Sequence, residues 1–393
     1  MKKIKKALIS VSNKNNLDFL IKNLVRHKIQ IISSGGTFKE IKKLGFKCLE
    51  VSNYTGFPEV LDGRVKTLHP KIFSGILSNR KKKSHLKDLK KNNFKEIDLV
   101  VVNFYPFEKT IKKLNYQKKI IENIDIGGPA MARAAAKNYN DVTIITKVEQ
   151  YSKLIDELKK NRGSTSINFR NKMSEEAFNE TAYYDAVIAN YFNNQTKNFF
   201  PEKKIIFGKL FEKLRYGENP HQDGAIYCLN DSINIKQLSG KRLSYNNYND
   251  IFSALFLSKS LPKNIGTVIV KHANPCGVSI NKDKIKSYRL ALACDPISAY
   301  GGIVSCNFKI NKKLAIEFNN IFLEAVIGNG IDYEALKILK KRKNLIVIDS
   351  QNLKLENIQN INSNFNSFLI QSPDNHFLSS KNFRIVSKKK PKL

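Results

Sequence analysis

The 393-residue sequence predicts an α/β protein with two consecutive units, the first of them built around a parallel sheet. The chain is longer than one hydrophobic core usually serves. Short apolar runs alternate with segments whose apolar residues recur at helical spacing, as expected where helices cover both faces of a parallel sheet. One polar, Asn-rich stretch near residues 191–205 predicts a linker, which divides the chain into residues 1–197 and 198–393.

The first elements are predicted to form two strand–turn–helix units in succession. "KKALISVS" is a short apolar strand, and the apolar residues from Leu17 to Val25 then recur on one face of a helix. "IQIIS" predicts the second strand, and the turn "SGGT" leads into a second helix. Thr37 and Glu40 have the spacing of a capping box for this helix, and Gly45 is placed to end it. Apolar runs of strand length follow in "FKCLEVS", "IDLVVVNFY" and "DVTIIT".

The segment beyond the linker predicts a second α/β unit. It contains "LRYGENPHQ", "LSYNN", "TVIVKHANPCG" and "DPISAYGGIVS", followed by alternating helix and strand patterns. In "TVIVKHANPCG" the branched apolar residues lead directly to Lys271 and His272, which are therefore expected where a buried strand ends. Two interpretations of this pair stay open at this point: a catalytic pair, or a satisfied histidine beside a surface lysine.

The formal net charge of +34 raises the question of nucleic-acid binding. Only 11 of the 68 basic residues are arginine, and the lysines are scattered through both halves of the chain. Scattered lysine is typical of a solvated surface, and no recognised RNA-binding motif is present. The sequence therefore predicts no specific nucleic-acid partner.

Cysteine spacing and hydropathy exclude several other classes of protein. The sequence has no run of about 18 apolar residues and no signal-peptide pattern, so we expect a cytoplasmic protein without a membrane partner. The cysteines form neither a CxxC motif nor an even disulfide framework, which predicts a reducing compartment and no metal site. These cysteines are Cys48, Cys228, Cys276, Cys294 and Cys306.

Two turns that follow the first two strands predict an anion site. Ser12 and Lys14 follow the first strand, and "SGGT" at residues 34–37 follows the second. In a doubly wound sheet such turns meet at one edge, where the N-termini of helices direct N–H groups towards a ligand. Gly35 and Gly36 would let the backbone approach a phosphate closely. The alternative is an ordinary turn before an ordinary helix cap.

Two further segments contain candidate polar groups. "DGRVKTLHP" places Arg64 and Lys66 on the same side of an extended segment, so both cations could reach one anionic substrate; a solvated basic loop is the alternative. "NIDIGGPAMARAAAKN" places Asp125 before a Gly-Gly-Pro turn. The alanine-rich helix after this turn ends near Lys137, whose simplest role is an interaction with the helix dipole.

These motifs together resemble the family of bifunctional AICAR transformylase/IMP cyclohydrolases, enzymes of late purine synthesis. The similarity rests on "SVSNKNNL", "SSGGT", "TGFPEVLDGRVKTLHPKIFSGIL", "NFYPF" and "IDIGGPAMARAAAKN", followed by the four motifs of the second unit in order. The resemblance implies a methylglyoxal-synthase-like cyclohydrolase domain over residues 1–197. It implies that residues 198–393 are the first part of a transformylase domain with a cytidine-deaminase-like fold.

The implied activity is formyl transfer from the cosubstrate 10-formyltetrahydrofolate to AICAR, then cyclodehydration of formyl-AICAR to IMP, in a homodimer. The resemblance makes Lys137 catalytic in cyclisation. In formyl transfer it makes His272 the base and Lys271 the group that stabilises the oxyanion. The nucleotide-binding residues that it implies for the cyclohydrolase are Ser12, Lys14, Ser34, Gly35, Gly36, Thr37, Arg64, Lys66, Thr67, Asn103, Asp125 and Ile126. The AICAR-binding residues that it implies for the transformylase are Arg215, Tyr216, His221, Gly301 and Glu324.

The sequence departs from related patterns in two respects. It lacks the H-x-E and P-C-x-x-C motifs of zinc deaminases, so we expect no metal in the second unit. Members of the family continue beyond the point that corresponds to "FRIVSKKKP", so we expect only the first part of a transformylase here. A cyclohydrolase that carries an inactive transformylase remnant is the alternative function.

Overall fold

The computed structural model describes residues 1–114, 116–229, 232–354 and 360–372, together with residues 386 and 389. The chain forms two compact units, Met1–Phe207 and Gly208–Leu393. The division between them falls ten residues beyond the boundary that the sequence suggests. No helix among the described residues is long and apolar enough to span a bilayer.

The first unit is built around a five-stranded parallel sheet with the strand order β4-β3-β2-β5-β6. The strand order therefore changes direction at β2, which lies between β3 and β5. A separate antiparallel pair joins β1 to β7. The strands are β1 (Lys2–Lys3), β2 (Lys6–Val11), β3 (Gln30–Ser33), β4 (Leu49–Glu50), β5 (Leu99–Asn103), β6 (Thr143–Ile145) and β7 (Ser164–Thr165).

Helices cover both faces of this sheet, and their apolar sides form the core with the strands. Of the apolar residues that the sequence places on one face of the first helix, Leu17, Leu20, Ile21 and Leu24 are buried, whereas Val25 is exposed. The helices are α1 (Leu17–Arg26), α2 (Gly35–Lys43), α3 (Val51–Thr55), α4 (Pro70–Leu77), α5 (Lys83–Lys91), α6 (Phe107–Lys113), α7 (Gln117–Glu122), α8 (Gly127–Lys137), α9 (Tyr151–Lys160) and α10 (Ile167–Gln195), with 3₁₀ turns at Leu61–Gly63 and Val148–Gln150.

Two local predictions for this unit are wrong. Ser34, not Thr37, is the N-cap residue of α2, because the Thr37 hydroxyl is bound to the backbone of Val11, accepting from its N–H and donating to its C=O, both at 3.0 Å. The predicted linker overlaps α10, which continues to Gln195. The helix extends into this polar stretch because Tyr191 is buried there, its ring 5.7 Å from that of Phe107.

The second unit has a mixed six-stranded sheet with the order β10-β15-β14-β13-β11-β12, in which β13, β14 and β15 are parallel and the other pairs antiparallel. Its strands are β8 (Lys209–Lys213), β9 (Ala225–Cys228), β10 (Lys236–Ser239), β11 (Gly266–Lys271), β12 (Asn274–Ile280), β13 (Ile303–Cys306), β14 (Ala325–Gly328), β15 (Ile346–Asp349), β16 (Asn360–Asn364) and β17 (Ser367–Gln371). The helices are α11 (Tyr245–Ser260), α12 (Lys284–Cys294), α13 (Lys312–Glu317) and α14 (Tyr333–Leu339), with a 3₁₀ turn at Phe318–Asn320.

The central strands of this second sheet are buried on both faces. Ile269 and Val304 belong to one apolar cluster, whereas Val268, Val270 and Ile303 belong to another. Because successive side chains of a strand point to opposite faces, the two clusters lie on opposite sides of the sheet. The predicted α/β class is confirmed for both units.

A buried ion pair fixes the amino-terminal edge of the first sheet. Asp98 precedes β5, and its Oδ2 accepts hydrogen bonds from the backbone N–H groups of Lys5 and Lys6 at 2.8 and 2.9 Å. Its Oδ1 accepts from Nη1 of Arg80 at 2.6 Å, and both side chains are less than a tenth exposed. This carboxylate therefore ties β2 and β5 together and neutralises a buried guanidinium.

We expect Asp98→Ala to destabilise the first unit by about 3–5 kcal/mol, because it removes the shorter ion pair of the buried Arg80 guanidinium and leaves only the partly exposed Glu96, 3.7 Å away, to compensate its charge. Urea unfolding followed by far-UV circular dichroism measures the effect. The control is Asp156→Ala, which removes a largely exposed carboxylate 3.8 Å from Lys159 and should change stability by less than about 0.5 kcal/mol. Equal unfolding midpoints for the two variants would contradict this account of the ion pair.

Candidate functional site

A cavity of about 540 Å³ lies at the carboxyl edge of the five-stranded sheet. The turns after β2 and β3 and the end of β5 form one side of it, where the strand order changes direction and where open α/β sheets bind ligands. Eleven of the twelve predicted nucleotide-binding residues line this cavity. They are Ser12, Lys14, Ser34, Gly36, Thr37, Arg64, Lys66, Thr67, Asn103, Asp125 and Ile126. Gly35, the twelfth, lines a smaller space that shares Ser34 and Lys66 with the cavity.

The Gly-Gly turn at the start of α2 forms a cradle between two ammonium groups. A Cβ atom on Gly35 would lie 3.6 Å from Nζ of Lys66, and one on Gly36 would lie 3.7 Å from Nζ of Lys14. Gly35 has a φ of +52°, which favours glycine. The buried hydroxyl of Ser34 has no hydrogen-bond partner within the described part of the chain. Two cations, a free hydroxyl and a helix N-terminus together suit a phosphate group.

Asn103 holds the turn after β2 in place. Its Oδ1 accepts hydrogen bonds from the N–H groups of Ser12 and Asn13 at 2.7 and 2.8 Å, and its Nδ2 donates to the carbonyl of Asn13 at 3.1 Å. Thr37 fixes Val11 at the other side of this turn. The side chains of Asn103 and Thr37 therefore position the backbone of the cavity wall.

The two cations of "DGRVKTLHP" both reach the cavity but have different surroundings. Lys66 approaches Gly35, as described above. Arg64 lies at the exposed rim, where its Nε donates to Oε1 of Glu122 at 3.0 Å and its Nη2 donates to Oε2 of the same carboxylate. Both cations therefore line the cavity, as predicted. Arg64, however, already has a carboxylate partner in Glu122.

Asp125 lines the cavity as well, within electrostatic range of Lys66. Its Oδ1 accepts from the N–H of Gly128 at 2.8 Å, and its own N–H donates to the hydroxyl of Tyr184 at 2.8 Å. Burial raises the pKa of Asp125, while hydrogen bonds from the amides of Gly128 and Tyr105 and the charge of Lys66 oppose this rise. Burial also raises the pKa of Tyr184 to about 12, so its hydroxyl stays protonated.

The predicted catalytic Lys137 does not line this cavity. Asp125 and Ile126 lie just before the first residue of α8, Gly127, whereas Lys137 is its last residue and is exposed. Ten residues of α-helix correspond to a rise of about 15 Å. The structure thus brings together the predicted binding residues and leaves Lys137 at the far end of the helix.

Three residues with polar side chains are among those that sequence reasoning missed at this site. Tyr105 lines the cavity two residues after Asn103, and its place at the end of an apolar strand was a usable signal. Glu122 also lines it, and Tyr184 supports it from α10. The partners of Glu122 and Tyr184 are 58 and 59 residues away in sequence, so no local pattern indicates either residue.

In the second unit, Lys271 ends the buried strand β11, as predicted, and His272 begins a tight turn. Lys271 pairs with Asn274 across the β11–β12 hairpin, which leaves His272 and Ala273 as a two-residue loop. Both loop residues have positive φ, 52° and 59°, as in a type I′ turn. Asp250 accepts from the N–H of Ala273 at 2.7 Å, and Nζ of Lys271 donates to the carbonyl of Tyr300 at 2.8 Å. His272 itself is exposed.

Other predicted residues lie along the same edge of the second sheet. Gly301, with a φ of +76°, follows the carbonyl that Lys271 contacts. Glu324 precedes β14, and its N–H donates to the carbonyl of Gly302 at 3.0 Å. Its carboxylate pairs with Lys241 and accepts from Asn247 at 3.2 Å. The sheet edge thus brings Lys271, Gly301 and Glu324 into one region.

The remaining predicted residues are on the exposed loop between β8 and β9. The guanidinium of Arg215 lies over the ring of Tyr216, 5.2 Å from its centroid, and His221 is exposed further along. Asn246 at the start of α11 donates to the carbonyl of Glu218 at 3.2 Å and so fastens this loop. Among the described residues of the chain, no group of three or more His, Cys, Asp or Glu side chains could hold a metal ion.

Comparison with known proteins identifies the family of the chain. Residues 135–393 match the model of the AICARFT/IMPCHase bienzyme, and residues 16–130 match that of the MGS-like domain. The chain belongs to the AICARFT/IMPCHase bienzyme family. The bifunctional purine biosynthesis protein PurH of Bradyrhizobium diazoefficiens is 42% identical over 99% of this chain and 75% of its own length. The protein of the same name from Prochlorococcus marinus is 43% identical over 98% of this chain and 77% of its own.

The cradle around Gly36 can be tested by adding a single methyl group. A Cβ there meets only the flexible end of Lys14, so we expect Gly36→Ala to fold normally while the methyl occupies the space of the anion. Loss of a charge-assisted hydrogen bond should weaken binding of IMP by at least about tenfold in isothermal titration calorimetry. The control is Gly45→Ala, which strains a φ of +83° in open space and should lower stability without changing affinity. Undiminished affinity in Gly36→Ala would exclude the cradle.

Asp125 should make the stability of the first unit depend on pH in a definite direction. Its pKa is raised in the folded chain, so the stability it contributes is complete below the unfolded pKa of about 3.9 and is lost as the pH rises through the folded pKa. Relative to Asp125→Asn, the wild type should therefore lose stability as the pH increases above about 4. Urea midpoints of both proteins across this range measure the difference, and a constant difference would refute the assignment.

Proposed function

We propose that the chain catalyses two consecutive steps of purine synthesis, formyl transfer to AICAR and cyclodehydration of formyl-AICAR to IMP. Membership of the bienzyme family across almost the whole chain carries this proposal. The relatives named as bifunctional favour both steps over a cyclohydrolase alone. We assign cyclisation to residues 1–197 and formyl transfer to residues 198–393.

In cyclisation, the carboxamide nitrogen attacks the formyl carbon, and the formyl oxygen leaves as water after proton transfer. The cavity volume of about 540 Å³ suits a nucleotide, whose phosphate would occupy the cradle between Lys14 and Lys66. Anchoring the phosphate there, with Asp125 fixed in the same cavity, would hold the two reacting groups of one molecule together. Asp125 then orients the substrate through its buried carboxylate.

The proton transfer itself requires a base. Lys137 falls on the catalytic lysine of the family, and we propose it for this role on that resemblance alone. Lys66 is the competing candidate, because it lines the cavity and interacts electrostatically with Asp125. General acid–base help of this kind contributes about 10²- to 10⁴-fold to a rate.

In formyl transfer, the AICAR amine attacks the formyl carbon of 10-formyltetrahydrofolate, and tetrahydrofolate leaves. We propose that His272 takes the amine proton and that Lys271 stabilises the oxyanion. The hairpin turn supports these roles, because it presents both side chains at the end of a rigid strand. Arg215, Tyr216, His221, Gly301 and Glu324 are proposed to bind AICAR.

We further propose a cytoplasmic homodimer that needs no metal and has neither a membrane nor a specific nucleic acid as a partner. Its small-molecule partners would be AICAR, formyl-AICAR, IMP and the folate cosubstrate. The scattered lysines support the absence of a nucleic-acid role, since they form no reading surface for bases.

Two single variants should separate the two activities. We expect His272→Ala to lower tetrahydrofolate release by about 10²- to 10⁴-fold and to leave cyclisation of supplied formyl-AICAR unchanged. Lys137→Ala should do the reverse, with kcat falling far more than KM rises. Steady-state assays of both reactions on the purified chain measure these effects, and Lys66→Ala is assayed beside them.

Each outcome assigns or removes a role. If Lys137→Ala cyclises formyl-AICAR at the wild-type rate and Lys66→Ala has a greatly reduced kcat, Lys66 is the base. Normal formylation by His272→Ala would remove the histidine from the mechanism. A wild-type chain that turns over neither substrate would contradict the proposed function.

A further inference from the structure

Arg64 and Glu122 are joined by two parallel hydrogen bonds at the rim of the first-unit cavity. Arg64 follows the 3₁₀ turn Leu61–Gly63, and Glu122 is the last residue of α7, 58 positions further along the chain. Nε of the guanidinium donates to Oε1 at 3.0 Å and Nη2 donates to Oε2, so the carboxylate meets one edge of the guanidinium fork. Both residues line the cavity.

This ion pair contributes little to folding, because the two side chains are 67% and 55% exposed. The backbone beside Arg64 is also costly to hold, since Leu61 and Asp62, neither of them glycine, have positive φ, at 55° and 52°. An exposed arginine on such a loop would lose much rotational freedom on binding a ligand. Glu122 removes that freedom before the ligand arrives.

The geometry also leaves Arg64 able to bind. A guanidinium has five N–H donors, and Glu122 accepts from two of them, one on Nε and one on Nη2. The edge that carries Nη1 is not used by this carboxylate. A fixed fork with a free edge suits bidentate recognition of an oxyanion or of a polar ring edge.

We infer that Glu122 is a positioning residue for the bound nucleotide, acting through Arg64. It fixes the guanidinium over the cavity so that the free edge meets the nucleoside monophosphate, an inference that rests on the proposed function of the first unit. The opposite behaviour is conceivable for the same contact: a carboxylate that competes with the ligand for Arg64 would weaken binding, and its removal would tighten it.

The chain contains a matched control for this contact. In the second unit Arg289 donates from Nε and Nη2 to the two carboxylate oxygens of Glu317, at 3.1 and 2.6 Å, in the same forked arrangement. The side chain of Arg289 is 63% exposed and that of Glu317 is 19% exposed. Glu317→Gln therefore removes an equivalent charge and an equivalent arginine partner outside the cavity.

The test measures the Kd of IMP by isothermal titration calorimetry on five full-length proteins: wild type, Glu122→Gln, Glu317→Gln, Arg64→Ala and the double variant Arg64→Ala/Glu122→Gln. We expect Glu122→Gln to raise the Kd by about 2- to 12-fold, the cost of ordering one flexible side chain. Glu317→Gln should leave the Kd unchanged. In the Arg64→Ala background the Glu122 substitution should have no further effect, because its only route to the ligand is gone. The thermal unfolding midpoint should be the same for wild type and Glu122→Gln.

Four results would overturn the inference. A Kd for Glu122→Gln equal to that of wild type would show that Glu122 has no role in binding. A lower Kd would show that its carboxylate competes with the ligand for Arg64. An equal loss of affinity with and without Arg64 would show that Glu122 acts directly. A wild-type chain that binds no IMP would remove the proposed function of the first unit together with the inference, whereas wild-type binding with an unaffected Glu122→Gln would remove the inference alone.

Discussion

Parallel pairing of β2 with β3 and β5 is the constraint on which the first site depends. The register sets Val11 beside Asn103, and Ile9 beside Ser33, so the turns that follow β2 and β3 open next to the end of β5. The amide of Asn103 then binds the turn after β2 directly. Serine hydroxyls, backbone amides and lysines that lie far apart in sequence are thereby held at one sheet edge before any ligand is present.

The cavity is lined by cationic groups and by a carboxyl group. Lys14 and Lys66 lie beside the glycine turn, where an anion would be compensated. Asp125 lines the same cavity within electrostatic range of Lys66; burial makes its charged form costly, and two backbone amides offset part of that cost. A substrate that carries both a phosphate and a polar ring would find cations for the first and a carboxyl group for the second. The presence of both kinds of group in one cavity can fix the orientation of a ligand as well as contribute to its affinity.

The sequence predicts the positions of strand-end groups well, because strand boundaries and Gly-Gly turns leave local patterns. The cavity accordingly contains Ser12, Lys14, Ser34, Gly36 and Thr37, which these patterns indicate, whereas Thr67, Asn103 and Ile126 were expected from the family resemblance alone. The capping box at Thr37 fails because a backbone 26 residues away binds its hydroxyl instead. Tyr184 and Glu122 carry no local signal for a similar reason, since their partners come from distant elements. The polar, Asn-rich composition after Tyr191 predicts a linker. The helix nevertheless continues to Gln195, because the ring of Tyr191 is buried.

Position 272, in the hairpin turn formed by His272 and Ala273, is subject to two opposing requirements, one from the backbone conformation and one from the proposed chemistry. A left-handed backbone favours glycine or asparagine, and each other residue in it costs of order 1–3 kcal/mol. Folding alone would thus be served better by a residue without an imidazole, while the proposed proton transfer needs one. A glycine at position 272 would relieve the backbone cost of the turn and would at the same time remove the imidazole, so stability and the proposed proton transfer make opposite demands on this residue.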